Sequence, residues 1–247
     1  MRKISASYII SNVGAPLRNG ILILNDDNSV AELVDRKGSV KEIQNLEYYS
    51  GVLVPGFVDV FTFLSWPEMH ADRLNFKDLN NLPLGESGDL KSIQRGINHL
   101  EAFGTKGAAD FFPLSISQNL KSMSGICFRD VHTSSGNDFL SEIPDSILGR
   151  LFPNNISLDK AFCIGTGSLS SHQKLSVFEE LKYLQKIKPE LNLEQLIKWA
   201  CLNGAKLLGF DSLGSFDTGK QPGVNLITNL DYETFSLKAD SQLKVLV

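Results

Sequence analysis

Residues 51–65 read Gly-Val-Leu-Val-Pro-Gly-Phe-Val-Asp-Val-Phe-Thr-Phe-Leu-Ser, and their pattern indicates the fold class. The run 52–63 is almost continuously apolar, which is typical of a parallel strand that is covered on both faces. Further strand-like and helix-like segments alternate after it, with strands predicted at 106–112, 125–132 and 161–165 and helices at 89–103, 115–123, 138–151, 172–187 and 193–208. This alternation predicts an α/β fold with a parallel sheet and right-handed crossovers.

The two ends of the chain have a different pattern. The first fifty residues contain short β-like runs separated by turn-forming residues such as Asn25-Asp26-Asp27-Asn28. Short strands return after Gly214, at 223–228, 234–238 and 243–247. We therefore predict a composite β-sandwich domain from residues 1–50 and 214–247, and a β/α domain over residues 51–213.

Composition excludes several classes of function. The chain has 247 residues, is 42% hydrophobic and carries a net charge of −4, without a run of Lys or Arg that would attract nucleic acid. It contains no apolar run of about 18 residues, the length that a membrane span requires. Because of the charge pattern we expect no nucleic acid as partner, and because no such run is present we expect no membrane. The three cysteines (Cys127, Cys163 and Cys201) are far apart in apolar sequence, which favours buried free thiols in a reducing, cytoplasmic compartment.

Four segments together resemble the amidohydrolase superfamily of metal-dependent hydrolases. Residues 51–65 resemble its first barrel strand, which ends in Pro-Gly, hydrophobic residues and Asp-x-His-x-His. Residues 163–171 resemble its last barrel strand, and residues 200–209 and 213–226 resemble the following helix and the return to a flanking β-domain. The resemblance is closest to the branch of cytosine deaminase, chlorohydrolases and aminofutalosine deaminase, and it implies a TIM-like barrel.

The resemblance also implies a lost metal site. Phe61 and Phe63 occupy the positions of two metal-binding histidines, and Gly167 occupies the position of the catalytic aspartate. None of the three side chains has a lone pair to offer a metal, so we expect no metal and no other cofactor. Asp59 remains two residues before Phe61, and we interpret it as a structural hydrogen-bonding residue, with a general base as the alternative.

Other polar residues are candidates with competing explanations. His132, with Asp130, ends the third strand on the side where barrel active sites lie, and it is the best remaining acid/base candidate. The alternative is a strand-end residue hydrogen-bonded locally. Ser168, Ser170 and Ser171 precede a helix, where they suit either a phosphate-binding turn or ordinary loop and capping roles.

The middle of the chain is too short for a complete barrel. A (β/α)8 barrel takes about 250 residues, and the strands predicted within 51–213 match only family strands 1, 2, 3 and 8. These are neighbours around a barrel, so we predict a shortened, open barrel whose inner face carries Phe61 and Phe63. A homodimer, another protein partner, or a plug formed by segments 75–88 and 134–155 would have to cover that apolar face.

The function favoured by these residues is non-catalytic. We predict an amidohydrolase-like pseudoenzyme that serves as a structural or interaction subunit. The alternative is a deaminase-like hydrolase of non-peptide C–N bonds, with residual activity or with a site completed by a partner chain. A further alternative is metal-free chemistry around His132.

Overall fold

The structure is a computed structural model, and it describes residues 1–39, 43–70, 86–132, 147–150 and 162–247. Two sheets organise these residues. The proposed plug segments, 75–88 and 134–155, lie mostly outside the described residues. The described helices are α1 (Leu90–Ala102), α2 (Gln118–Met123), α3 (Val177–Ile187), α4 (Leu193–Ile197) and α5 (Gly204–Leu208), with a 3-10 turn at Ser115–Ser117 and a π-helical turn at Lys198–Asn203. None of them is long and apolar enough to cross a membrane.

Strands from both ends of the chain form the first sheet. It has seven strands, in the order β12-β11-β5-β1-β3-β4, with β2 paired to β1. These strands are β1 (Arg2–Ile9), β2 (Leu17–Arg18), β3 (Ile21–Leu24), β4 (Val30–Val34), β5 (Leu46–Pro55), β11 (Val224–Thr228) and β12 (Gln242–Val245). Strands β1 and β5 are parallel, whereas β11 pairs antiparallel with β5. The expected strand at 234–238 is instead a turn with a single bridge, from Asp231 to Ser236.

The second sheet is parallel and has five strands. Its order is β8-β7-β6-β10-β9, formed by β6 (Phe57–Thr62), β7 (Thr105–Phe111), β8 (Cys127–Val131), β9 (Ile147–Leu148) and β10 (Cys163–Ile164). The four strands matched to family strands 3, 2, 1 and 8 therefore lie side by side in that order. Strand β9 adds a fifth at the far edge, where the sequence pattern had favoured a helix over 138–151. Among the described residues, the two edge strands, β8 and β9, do not pair with each other, so the described sheet is not closed into a barrel.

The apolar run 52–63 is divided between the two sheets, not used as one strand. Strand β5 extends beyond residue 50, the predicted domain boundary, and ends at Pro55. Strand β6 then begins in the other sheet, after Gly56. A Cβ atom at Gly56 would lie 2.4 Å from the Pro222 carbonyl oxygen, so this crossing needs a residue without a side chain. Asn225 joins the sheets nearby, because its Nδ2 donates to the Gly104 carbonyl over 2.9 Å.

Local capping signals place the helix ends. The Asp89 side chain accepts a hydrogen bond from Ser92 N and caps α1, as the sequence predicts. Gly104, with φ of +73°, ends that helix in a left-handed conformation. Helix α3 begins later than predicted, at Val177, because the Ser176 side chain accepts a hydrogen bond from Glu179 N and caps the helix there.

The helices pack against different strands of the parallel sheet. Ala108 of β7 joins Ile93 and Ile97 of α1 in one apolar cluster. Val58 and Val60 of β6 lie against Gly204 of α5, where an added Cβ atom would be only about 3.0 Å from their side chains. These contacts fix β6 and β7, the two strands whose carboxyl ends carry the candidate site.

Candidate functional site

An aromatic cluster occupies the place where the sequence resemblance puts a metal centre. The rings of Phe61 and Phe63, at the carboxyl end of β6, meet edge to face with centroids 5.0 Å apart. The Phe111 ring, from the end of β7, lies 4.8 Å from Phe61 and 5.7 Å from Phe63. Phe61 is 0% exposed and Phe63 1% exposed, so the rings expected on an open face are buried within a single chain.

The residues at this position do not suit a metal ion. A benzyl side chain offers no donor atom, and the three rings fill the space at van der Waals contact. Gly167 contributes only main-chain bonds: its N donates to the Phe61 carbonyl over 2.8 Å, and its carbonyl accepts from Phe63 N over 3.0 Å. Across the described parts of the chain, no three His, Cys, Asp or Glu residues form a group that could hold a metal.

Asp59 is fully buried beside the aromatic cluster and ties β6 to β10. Its Oδ1 accepts from Phe61 N over 3.2 Å and from Thr166 N over 3.1 Å, and its Oδ2 accepts from Thr166 Oγ1 over 2.5 Å. Burial raises the pKa of Asp59 to about 7, although the hydrogen bonds from Thr166 and Phe61 favour the ionised form. This geometry fits the structural role that the sequence suggested.

A buried ion-pair network lies at the carboxyl ends of β7 and β8. Lys121 of α2 is only 5% exposed, and its Nζ lies 2.6 Å from Asp110 Oδ2 and 2.5 Å from Asp130 Oδ1. Asp110 Oδ1 also accepts from Leu64 N over 2.9 Å. Burial raises the pKa of Asp110 to about 6, against the opposing effect of the lysine. This network is not predictable from the sequence pattern, because a lysine on a short helix is typical of a solvent-exposed position.

The candidates around the third strand are not brought together. His132 follows β8 and is exposed, and no hydrogen bond or ion pair joins it to another described residue. Its neighbour Asp130 faces Lys121 and accepts from Gln118 instead. Asp130 and His132 therefore do not form an acid/base pair here.

The serines of the proposed phosphate-binding turn are occupied within the chain. Ser168 is buried and its hydroxyl donates to the Met69 carbonyl. Ser171 N donates to the Ser168 hydroxyl over 3.1 Å, and the two hydroxyls lie 3.0 Å apart. These contacts are those of an internally bonded loop, so they favour the ordinary loop role.

A second buried ion pair lies beyond β9 and was also missed from the sequence. Glu180 of α3 is 0% exposed, and Arg150 binds it through Nε at 2.8 Å and Nη2 at 2.6 Å. Arg150 N also donates to Glu180 Oε2 over 2.6 Å. Burial raises the pKa of Glu180, and Arg150 opposes that shift. The only sequence signal available was the charge of Glu180 on the face of α3 that carries Phe178 and Leu181.

The cysteines differ from one another in exposure. Cys163 and Cys201 are buried free thiols whose pKa values are raised by burial, as expected of packed side chains. Cys127, at the edge strand β8, is exposed, which corrects the expectation that all three are buried.

Comparisons with known proteins agree on one fold. Residues 149–243 match the model of the amidohydrolase family. The structure is similar to Helicobacter pylori aminofutalosine deaminase, with a TM-score of 0.65, 14% identity, and coverage of 95% of this chain and 94% of that chain. An adenosine deaminase from Xanthomonas campestris gives a TM-score of 0.55 at 13% identity, covering 91% and 84%. Atrazine chlorohydrolase from Arthrobacter aurescens TC1 gives 0.59 at 10% identity, covering 91% and 86%. No curated protein sequence matches the chain.

Proposed function

We propose that this chain is a member of the amidohydrolase superfamily, as its motifs predict, and that it is a non-catalytic member serving as a structural or interaction subunit. The observation that carries the proposal is the packing of Phe61 and Phe63 against Phe111 at the family's metal position. Burying each ring stabilises the fold by about 1.5–3 kcal/mol, whereas the metal ligands that they replace would lie there at a cost. The position that binds the catalytic metal in the family is therefore part of the apolar core in this chain.

We also propose that the β/α domain is a shortened and open version of the family barrel. The order of the parallel strands supports this, because β8, β7, β6 and β10 follow the order of family strands 3, 2, 1 and 8. Strand β9 lies beside β10, at the position of a family strand 7. A barrel closes by tilting and pairing about eight strands, and the described sheet has five.

A second candidate function is a deaminase-like hydrolase of C–N bonds with residual activity. Asp59 favours it, since a carboxyl group with a pKa of about 7 is suited to exchange protons near neutral pH. Against it, Asp59 is fully buried and already accepts three hydrogen bonds. A partner chain that supplies metal ligands would have to displace the phenylalanine rings first.

Metal analysis combined with deaminase assays separates these two functions. We expect purified protein to hold far less than one zinc or iron per chain and to release no ammonia from adenosine, guanine or aminofutalosine. An adenosine deaminase assayed in parallel is the positive control. One tightly bound transition metal per chain, or turnover that a chelator abolishes, would overturn the non-catalytic proposal.

Self-association, or binding of another protein, remains part of the proposal. Burial of Phe61 and Phe63 within one chain removes the apolar face from which a partner was first inferred. Other support remains, because among the described strands β8 and β9 each pair on one side only and so offer unpaired edges. Light scattering at micromolar concentration tests this: a mass of two chains is expected, and a monomer that also purifies alone from its native cell would contradict it. A reducing, cytoplasmic location fits the two buried thiols.

A further inference from the structure

A basic cleft lies between helix α3 and the segment that precedes β12. Its volume is about 510 Å³, and four of its nine lining residues are cationic: Arg150, Lys182, Lys186 and Lys238. The acidic residue in the lining is Glu179, which already pairs with Lys182 at 2.8 Å. Glu180 pairs with Arg150 and Asp240 lies near Lys238, so four cations face three carboxylates, which is a small local excess of positive charge in a chain of net charge −4.

Arg150 is fixed in place before any ligand arrives. The buried carboxylate of Glu180 binds its Nε and Nη2, and also its backbone N, over 2.6–2.8 Å. Its side chain is nevertheless 33% exposed and borders the cleft. A cation held in this way loses little conformational entropy when it contacts an anion.

The opposite walls of the cleft are tied together. Lys182 Nζ donates to the Ala239 carbonyl over 3.3 Å, and Leu237 N donates to Gln185 Oε1 over 3.4 Å. Leu237 is 7% exposed and, with the half-buried Tyr183, provides an apolar surface between the cations. The cleft therefore combines a preformed shape, an apolar surface and positive charge, which are the usual properties of a small-molecule site.

Lys186 and Lys238 are the least neutralised cations of the cleft, since Arg150 pairs with Glu180 and Lys182 pairs with Glu179. Lys186 is exposed and forms no ion pair or hydrogen bond with another described residue. Lys238 Nζ donates to Asn229 over 3.1 Å and lies 3.9 Å from Asp240, whose side chain is 70% exposed. Both ammonium groups are available to a ligand at little cost to the fold.

We propose that this cleft binds a small organic anion, whose acidic group lies among the four cations while its apolar body rests against Leu237 and Tyr183. This goes beyond the proposed structural or interaction role, and it requires neither a metal nor the aromatic cluster. The cleft is lined by α3, by the segment before β12 and by Arg150, which follows β9.

The probe for the test is 8-anilinonaphthalene-1-sulfonate, an aromatic body that carries one sulfonate. N-phenyl-1-naphthylamine is its matched uncharged control, because it has the same ring system without the sulfonate. Binding is measured by calorimetry and fluorescence for the wild type, for Lys186→Gln with Lys238→Gln, and for Lys91→Gln with Lys206→Gln. The last pair changes the net charge equally at exposed lysines outside the cleft, and circular dichroism checks that each variant is folded.

We expect saturable binding of one sulfonate probe per chain and a loss of about tenfold in affinity in the cleft variant, as two partly exposed charge contacts are removed. The control variant should change by less than about twofold, and added salt should weaken the wild type more than the cleft variant. Equal affinity in the wild type and the cleft variant would overturn the proposal. Equal loss in both variants, or equally tight binding of the uncharged control, would overturn it too.

Discussion

Placing histidines at positions 61 and 63, as the amidohydrolase pattern has them, should weaken this protein and not confer activity. The change is Phe61→His together with Phe63→His, which places two imidazoles where rings now pack at centroid distances of 4.8–5.7 Å. Two histidines alone do not complete a catalytic metal site, and Gly167 offers no side chain as a further ligand. The imidazoles would therefore lie among apolar groups without partners.

The size of the effect follows from burial. Both side chains are at most 1% exposed, and burying a polar group without a hydrogen bond costs about 1–3 kcal/mol from mutational data. The pair should thus lose about 2–6 kcal/mol, from a total stability of about 5–15 kcal/mol. For a chain of this size, each kcal/mol lowers Tm by about 2–4 °C.

Thermal and urea unfolding, followed by circular dichroism with and without added zinc, measure this loss. We expect Tm to fall by at least about 4 °C in both conditions. The control is Phe61→Leu with Phe63→Leu, which keeps the site apolar and should lose less. A double histidine variant as stable as the wild type, or one that zinc stabilises above it, would refute the argument that the site is apolar core.

Three further outcomes test the fold. Deleting residues 230–247 removes β12 from the sheet shared by both ends, so limited proteolysis should then cleave the N-terminal strands; an unchanged N-terminal pattern would count against one composite domain. Asn225→Ala should cost about 1 kcal/mol in urea unfolding, because the buried Gly104 carbonyl loses one of its two donors and keeps only Phe57 N, whereas Asn98→Ala, at an exposed site on α1, should cost less. Since burial raises the pKa of Asp59 to about 7, the folded protein holds that proton more tightly than the unfolded chain. The contribution of Asp59 to the free energy of unfolding is fully present below about pH 4 and is lost as pH rises through 7. Asp59→Asn should therefore flatten the fall of the free energy of unfolding over this pH range, and an unchanged profile would contradict the raised pKa.

Local patterns in the sequence determined the parallel sheet and carried the resemblance to the amidohydrolase superfamily. The apolar run ending in Pro-Gly-Phe-Val-Asp identified β6, and the cap at Asp89 identified the start of α1. The same resemblance implied that Phe61 and Phe63 stand at ligand positions, and the absence of a donor atom is a property of the residue itself. Such conclusions need only the order of residues along the chain.

The surroundings of those residues depend on segments that are distant in the sequence. Asp110 with Lys121, and Arg150 with Glu180, are buried ion pairs because different elements meet there, and no periodicity signals a buried charge. A two-residue strand such as β9 is too short to show a pattern, and only its pairing with β10 defines it. Covering Phe61 and Phe63 within one chain was likewise decided by packing, since the sequence fixes which side chains are apolar but not which distant ones will enclose them.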